Sequence, residues 1–466
     1  MKKSLCLVFI LLFLAVCALP GIAYLCGYQA ENRENRPLAR AAELVGRDGL
    51  NLSFPADFDD WWEDHFGLRE EMVTAFHGLT MAVTGDTLNK KVVVGKDNFL
   101  FYAETMENYL GLNLMTDGEI ARAAAVLRLM GEYAQSTGAT FTFAAAPNKN
   151  TLYPEYMPER YRPTGEESNR ARLYEALAKQ GVTTIDFAGL LAAHKAEGLL
   201  YYRQDTHWNE RGALLAYRAM MEKIAAGEAY NAYENAVATE KTGYVGDLHN
   251  FVLPAATGDL ADPYYGLTLD YRVDEGARPE RDVSFGTSVP INNVRLLLFR
   301  DSFGQALIPL LSANVSRAVY SQEFPYNMTF TDESFTAVMV ELVERNIPNL
   351  LLSAPLVPGV EKQVALPENG ELAANVTVRQ KNGYTQIAGC FDGDYPEHIY
   401  VEVRVGGASR VYEAFPILEE GMEALWDEME APCGFVLTLP AGVAGQATVR
   451  VAAGQRASAG AEVVLP

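Results

Sequence analysis

A chain of 466 residues, 49% hydrophobic and 21% charged, suits folded domains with real cores, two or three at ordinary domain sizes, and excludes a disordered chain. Its 60 acidic residues against 38 basic ones leave a formal net charge of -22. Such a field repels polyanions and argues against nucleic acid as a partner.

Residues 4–28 form a nearly unbroken apolar run behind Lys2 and Lys3, long enough to span a membrane. The run continues through Pro20 to Leu25 without the small-residue exit of a secretory signal, which favours an uncleaved anchor over residues 1–28. The two lysines then stay in the cytoplasm and the rest of the chain is extracytoplasmic; cleavage would instead release it. Cys6, Cys17 and Cys26 lie in this run, so the exported part keeps Cys390 and Cys433. These two either pair in an oxidising compartment or stay as buried thiols.

Residues 29–91 read as a juxtamembrane helical segment. A mixed-charge stretch, "ENRENRPLARAAEL", leads into "FPADFDDWWEDHFGLREEMVTAFHGL", a helical pattern whose Trp61, Trp62, Phe66 and Phe76 are expected to pack in a core or beside the anchor.

From Val92 the pattern changes to apolar strands alternating with amphipathic helices, beginning with "KVVVGKDNFLFY". Asp117 is placed to cap a helix to about Thr137, with Ile120, Ala124, Leu127 and Ala134 on one face and Gly138 at its end. The strand "TFTFAAAP" follows. Then come a helix over 167–180, a strand "VTTIDF", the segment "DTHWNERGALLAYRAM" and the strand "VRLLLF" running into "RDSFGQALIPLL". "TAVMVELVERN", residues 336–346, is read as a strand, and "NLLLSAPLVPG" closes the region. This order predicts an α/β domain over 92–362 with a mostly parallel sheet flanked by helices. After a turn at 366–370, "ANVTVRQ", "TQIAGCF", "HIYVEVRV", "GFVLTLP" and "ATVRVAA" predict an accessory β-sandwich over 366–466.

Sites in such sheets lie beyond the carboxyl ends of the strands, which directs attention to three stretches. After "VRLLLF" the sharp connection Arg300-Asp301-Ser302 sets Ser302 where a nucleophile would stand, with helix-start N–H groups able to hold an oxyanion; the other reading is that Ser302 caps the helix. A serine needs a base, and Asp205 and His207, two apart in an extended segment, point the same way, so that Asp205 can orient the imidazole. Asn209 is placed to cap the helix that follows. After "TFTFAAAP", Asn148 is a candidate oxyanion donor and Lys149 a candidate contact for substrate or a carbonyl, against the plainer reading of turn chemistry. No second histidine or cysteine stands at ligand spacing near His207, so neither a metal nor a cofactor is expected.

With "ENRPLA", "FGLRE", "VVVGKDNFLFY", "APNK", "DTHWNERGA", "FRDSFG" and "VERN" in place, residues 31–355 resemble SGNH-hydrolase-like proteins of the DHHW and AlgX/AlgJ type, which are linked to O-acetylation of exported polysaccharides. The resemblance implies Ser302 as nucleophile, His207 as base and Asp205 as its partner, in the circularly permuted order of those relatives. It also implies a polysaccharide acceptor and an acyl donor supplied by a membrane acyltransferase. Thr206 stands where the DHHW signature has histidine, and Arg300 and Asp301 depart from the Gly-Thr-Ser form of the alginate proteins, which leaves their contact with substrate open. The β-rich tail is similar in position to a carbohydrate-binding module, with Tyr395, Tyr400, Phe415 and Trp426 as either core or sugar platforms. The expected function is a membrane-anchored extracytoplasmic O-acetyltransferase. The same residues serve an esterase that uses water, and a glycan-binding scaffold without turnover would keep the fold.

Overall fold

The computed structural model describes residues 2–28, 38–46, 49–419 and 429–466, with residues 2–5 as backbone only. Trp426 and the first half of the mixed-charge stretch at 31–44 lie outside them. Helix α1, Lys2–Leu25, has none of Cys6–Leu25 buried and is long and apolar enough to cross a membrane. Where one helix was expected next, two form: α2, Phe54–His65, and α3, Arg69–Thr84. The break falls at Gly67, which packs so closely on α1 that a Cβ there would lie 2.6 Å from that of Ala23. Trp61 and Trp62 meet the edge of Tyr24 on α1 at 5.7 and 5.8 Å, whereas Phe76 is 53% exposed rather than packed.

Strands β1, Val92–Val94, and β2, Leu100–Tyr102, make a hairpin of their own outside the main sheet. Helix α4, Asp117–Ser136, is capped by Thr116 rather than Asp117. The reason is spacing: Glu119 stands three residues after Thr116, so each side chain satisfies the other's backbone N–H in a capping box. Strand β3, Thr140–Ala146, is followed by α5, Asn169–Lys179, β4, Thr184–Ile185, α6, Phe187–His194, and α7, Glu210–Ile224. Asn209 caps α7 by accepting from the N–H groups of Arg211 and Gly212.

After a segment that holds a short helix, Asp247–Val252, and the antiparallel pair Thr239–Lys241 with Asp262–Tyr264 come β5, Arg272–Val273, β6, Ser284–Ser288, β7, Arg295–Phe299, β8, Arg317–Ser321, and β9, Ala337–Val343. They form a seven-stranded sheet in the order β4-β3-β9-β7-β8-β6-β5. The pairings from β4 through β8 are parallel, and β6 and β5 join antiparallel. Alternate side chains go to opposite faces: Leu296 and Leu298 pack with α6 and α7, Leu297 and Phe299 with α4 and α5. Because β3, β9 and β7 run parallel in register, their following residues, Asn148, Arg345 and Ser302 among them, emerge at one edge.

The C-terminal region comprises β10, Ala374–Lys381, β11, Tyr384–Asp392, β12, Ile399–Val405, β13, Ala408–Glu413, β14, Pro432–Thr438, β15, Gly445–Ala453, and β16, Ala461–Leu465. Strands β10-β11-β14 form one sheet and β13-β12-β15, with β16 on β15, the other. Strands β11 and β14 are buried on both faces: Ile387, Phe435 and Leu437 enter the sandwich core, while Ala388 and Val436, with Phe415 bridged to Val436, join the core on the α4 side. Phe415 is therefore a core residue. Tyr395 stacks under the guanidinium of Arg122 at 4.2 Å and is committed to that contact.

The same alternation settles the state of Cys390 and Cys433. Cys390 stands opposite Gly434, and Cys433 opposite Phe391, so the thiols point to opposite faces of one sheet and no disulfide joins them. Cys433 donates instead to the Gly393 carbonyl at 3.0 Å, and burial pushes both thiols up to about 11. Alkylation of the unfolded, unreduced protein is expected to label both residues, with no gain in label after prior reduction. A reduction-dependent mass change on the peptides carrying them would contradict this.

Candidate active site at the carboxyl edge of the sheet

The apolar strand β7 ends on fully buried Phe299, and the chain turns at Arg300. Asp301, not Ser302, does the capping: its Oδ1 accepts from Phe303 N at 2.9 Å. Its Oδ2 accepts from Val343 N at 2.7 Å and from the Asn346 side chain at 3.0 Å, which ties the turn to the end of β9. Asp301 thus faces inward and holds the turn rather than a substrate. Arg300 is 4% exposed, donates to the Asp301 carbonyl and has its charge directed toward buried Glu341, though it borders the adjoining cavity. The turn leaves Ser302 exposed.

His207 Nε2 lies 2.9 Å from Ser302 Oγ, and His207 Nδ1 lies 2.8 Å from Asp205 Oδ1. With Nδ1–H donated to the carboxylate, Nε2 is left to accept from the serine hydroxyl. Asp205 Oδ1 also accepts from His207 N at 2.7 Å, and Oδ2 accepts from Tyr244 Oη and Asp247 N, each at 2.9 Å. Trp208, 1% exposed, donates its indole N–H to the Phe303 carbonyl at 3.1 Å, locking the histidine loop to the serine turn. Thr206 is buried, its N–H donated to Asp247 Oδ1 at 2.7 Å.

Burial works to raise the Asp205 carboxyl, but the hydrogen bonds and charge of His207 and the backbone donors outweigh it and hold the group down at about 2. Burial works to lower His207; the hydrogen bond and charge of Asp205 and the charge of Asp247, whose Oδ2 lies 3.9 Å from Nδ1, outweigh that and raise it above its ordinary value, with Arg345 opposing. Asp205, His207 and Asp247 have ligand atoms within 4.8 Å of one another, which is also metal-like spacing. Asp205 already accepts four hydrogens, filling the capacity of a carboxylate, so the cluster suits proton handling better than a cation.

Removing the Asp247 charge while keeping its hydrogen bonds, as in Asp247→Asn, is expected to let the His207 pKa fall. A base that loses its proton at lower pH gives an acid limb of ester turnover displaced to lower pH, by up to about one unit. An unmoved or upward-displaced limb in the pH–kcat/KM profile would contradict this electrostatic role.

The other two candidates sit beside this group in supporting positions. Asn148 is fully buried, and both its amide hydrogens are taken, by Asn108 Oδ1 at 3.0 Å and Glu344 Oε1 at 3.1 Å, so it has no hydrogen left for an oxyanion. Its Oδ1 accepts from Arg345 at 3.3 Å. Lys149 donates to the carbonyls of Tyr202, Arg203 and Asp205 at 3.2, 3.0 and 2.6 Å. Three carbonyls match the three hydrogens of an ammonium, while burial pulls the group down to about 7. It straps the loop carrying Asp205.

Sequence reasoning missed three contributors. Arg345 follows β9 directly and lies over the rings of Phe303 and Tyr102 at 5.7 and 5.5 Å; inspecting strand ends would have found it in "VERN". Tyr244 and Asp247 lie in the segment before β5, Asp247 as the first residue of the short helix Asp247–Val252, and no long periodic pattern marks them. Gly246 lets that segment approach: a Cβ there would lie 2.3 Å from the Gln204 carbonyl oxygen and 2.7 Å from Asp205 Cβ. Beside Ser302 and His207 opens a cavity of about 680 Å³, bordered by Tyr202, Tyr244, Tyr265 and Leu267.

The family model described as the SGNH hydrolase-like domain of acetyltransferase AlgX matches residues 92–283. Over those residues the chain is similar to an AlgX-type SGNH hydrolase-like domain. The AlgX-type match takes in Asp205 and His207 and ends before Ser302. Among curated relatives, "Probable alginate O-acetylase AlgJ" of Pseudomonas putida is 29% identical over 165 residues, 34% of this chain and 42% of the relative. The protein of the same description from Pseudomonas syringae pv. tomato is 25% identical over 260 residues, 54% of this chain and 61% of the relative. The chain thus matches less than two thirds of either relative's length. The solved O-acetyltransferase domain of Pseudomonas putida AlgJ is 20% identical with a TM-score of 0.38, covering 55% of this chain and 92% of that one.

Proposed function

We propose that this chain is an extracytoplasmic O-acetyltransferase that carries an acetyl group on Ser302 and delivers it to a hydroxyl of a polysaccharide. The observation that carries the reading is the unbroken line from Asp205 through His207 to exposed Ser302, at 2.8 and 2.9 Å. The names of the AlgJ relatives, alginate O-acetylases, support acetyl transfer as the reaction class.

Ser302 Oγ attacks the carbonyl carbon of an acetyl donor while His207 Nε2 takes its proton. Negative charge develops on the carbonyl oxygen, and we assign its stabilisation to the Ser302 N–H and the guanidinium of Arg345, which Asn148 holds in place. The intermediate collapses as His207 returns the proton to the departing donor oxygen, leaving acetyl-Ser302. An acceptor hydroxyl then gives its proton to His207 and attacks, and the steps run in reverse. The donor is proposed to come from a membrane acyltransferase partner, with α1 holding the chain at the same membrane.

The test is to supply an acetyl ester with and without oligosaccharide and follow the sugar by mass. Acetylated sugar is the expected product. Ester turnover with the sugar unchanged would replace transfer by hydrolysis, and the reading would become that of an esterase.

A further inference from the structure

The walls of the cavity beside Ser302 carry information about the charge of the acceptor. At about 680 Å³ it has room for more than an acetyl group and one attacking hydroxyl. One side is aromatic and apolar: the rings of Tyr202 and Tyr244 stack at 4.0 Å and 17°, and Tyr264, Tyr265 and Leu267 extend the surface. The charged residues bordering it are Glu210, Glu280 and Asp282 against Arg281 and Arg300. Arg300 is 4% exposed and donates to the Asp301 carbonyl, so little of its guanidinium is open to a ligand. Arg281 stands between two acids in sequence. Behind the aromatic wall lie three more carboxyl groups, Asp205, Asp247 and Asp262, the last raised to about 6 by burial.

A polyuronate brings one carboxylate per sugar and requires matching guanidinium or ammonium groups along its path. This cavity has no such surplus, and the chain as a whole, at -22, repels polyanions. An uncharged pyranose fits both kinds of wall: its C–H faces pack on tyrosine rings, and its hydroxyls donate to Glu280, Asp282 and the amides of Gln305 and Gln322, which also border the cavity.

We propose that the acceptor is a neutral glycan rather than a polyuronate, lying along the Tyr202–Tyr244 wall with one hydroxyl presented to Ser302 and His207. The inference rests on Ser302 as the acyl carrier, but its test does not need turnover. The full chain bearing Ser302→Ala would be titrated calorimetrically with cellohexaose, mannohexaose, N-acetylchitohexaose and a mannuronate hexamer. At least one neutral hexamer is expected to bind about tenfold or more tightly than the mannuronate, a difference of about 1.4 kcal/mol. Glu280→Lys with Asp282→Lys is expected to raise mannuronate affinity about tenfold, in a manner lost at high salt. Tighter binding of mannuronate by the unreversed cavity, or binding of none of the four, would overturn the proposal. Failure of an acetyl ester to label Ser302 in the native chain would instead remove the acyl-carrier reading, and the binding preference would stand or fall on its own.

Discussion

Ser302→Ala is expected to abolish the covalent acetyl adduct seen by intact-protein mass spectrometry after brief exposure to an acetyl ester, and to lower ester turnover by about ten-thousandfold or more. The size follows from what is lost. A hydroxyl hydrogen-bonded to His207 Nε2 at 2.9 Å becomes a methyl group, and among the described residues no other nucleophile is hydrogen-bonded to Nε2: Asp205, saturated with donors, and Asp247 lie on the Nδ1 side. Folding should be little affected, because Ser302 is exposed and Asp301 does the capping. The native chain with one added acetyl and the variant with none, at equal thermal stability, is the expected pair of spectra. An equal adduct on both would end Ser302 as the acyl carrier.

Asp205→Asn is expected to cost about as much in rate, near ten-thousandfold, and to destabilise the fold as well. The carboxylate collects four hydrogens, from His207 N, His207 Nδ1, Tyr244 Oη and Asp247 N. An amide has one acceptor oxygen: with its NH2 toward His207 it leaves His207 N unpaired and favours the imidazole tautomer that carries its hydrogen on Nε2, and with its NH2 toward Tyr244 and Asp247 it leaves Asp247 N unpaired. Unsatisfied buried donors cost about 1–3 kcal/mol each, which urea denaturation would read. The pH dependence has a definite sign. Asp205 is depressed to about 2, so its stabilisation is full above the ordinary aspartate range and is lost as pH falls from there through about 2. His207 is raised, so its contribution is full below about 6.5 and lost as pH rises through its folded value. The variant should therefore flatten the stability profile on the acid side. Unchanged rate and an unchanged acid profile would show that Asp205 neither orients nor charges His207.

Much of the α/β order could be read ahead because buried parallel strands are continuous apolar runs: "TFTFAAA", "VRLLLF" and "AVMVELV" leave few alternatives. The antiparallel strand Ser284–Ser288, "SFGTS", has neither such a run nor clean alternation, and carries no readable signal. At the site, Ser302 and His207 stood out because a strand-to-helix turn and an Asp-x-His pair are local patterns. The partners of the Asn148 amide are in no local pattern: its hydrogens go to Asn108 and Glu344, 40 and 196 residues away. Tyr244 and Asp247 were invisible for the same reason, since the close passage at Gly246 that brings them to Asp205 depends on tertiary approach alone.

Strands β11 and β14 are buried on both faces, and that has a bearing on how the protein can be divided. Arg128 on α4 reaches Glu413 across the junction, and Lys362, 2.6 Å from Glu132, lies 3.3 Å from the same Glu413, while Phe415 and Val436 fill the hydrophobic contact beneath. A fragment ended at residue 365 would expose Leu129 and Val357 and orphan Arg128 from its strongest partner. The α/β part and the sandwich therefore melt as one cooperative body, giving a single heat-absorption peak, and the smallest fragment worth expressing runs through both.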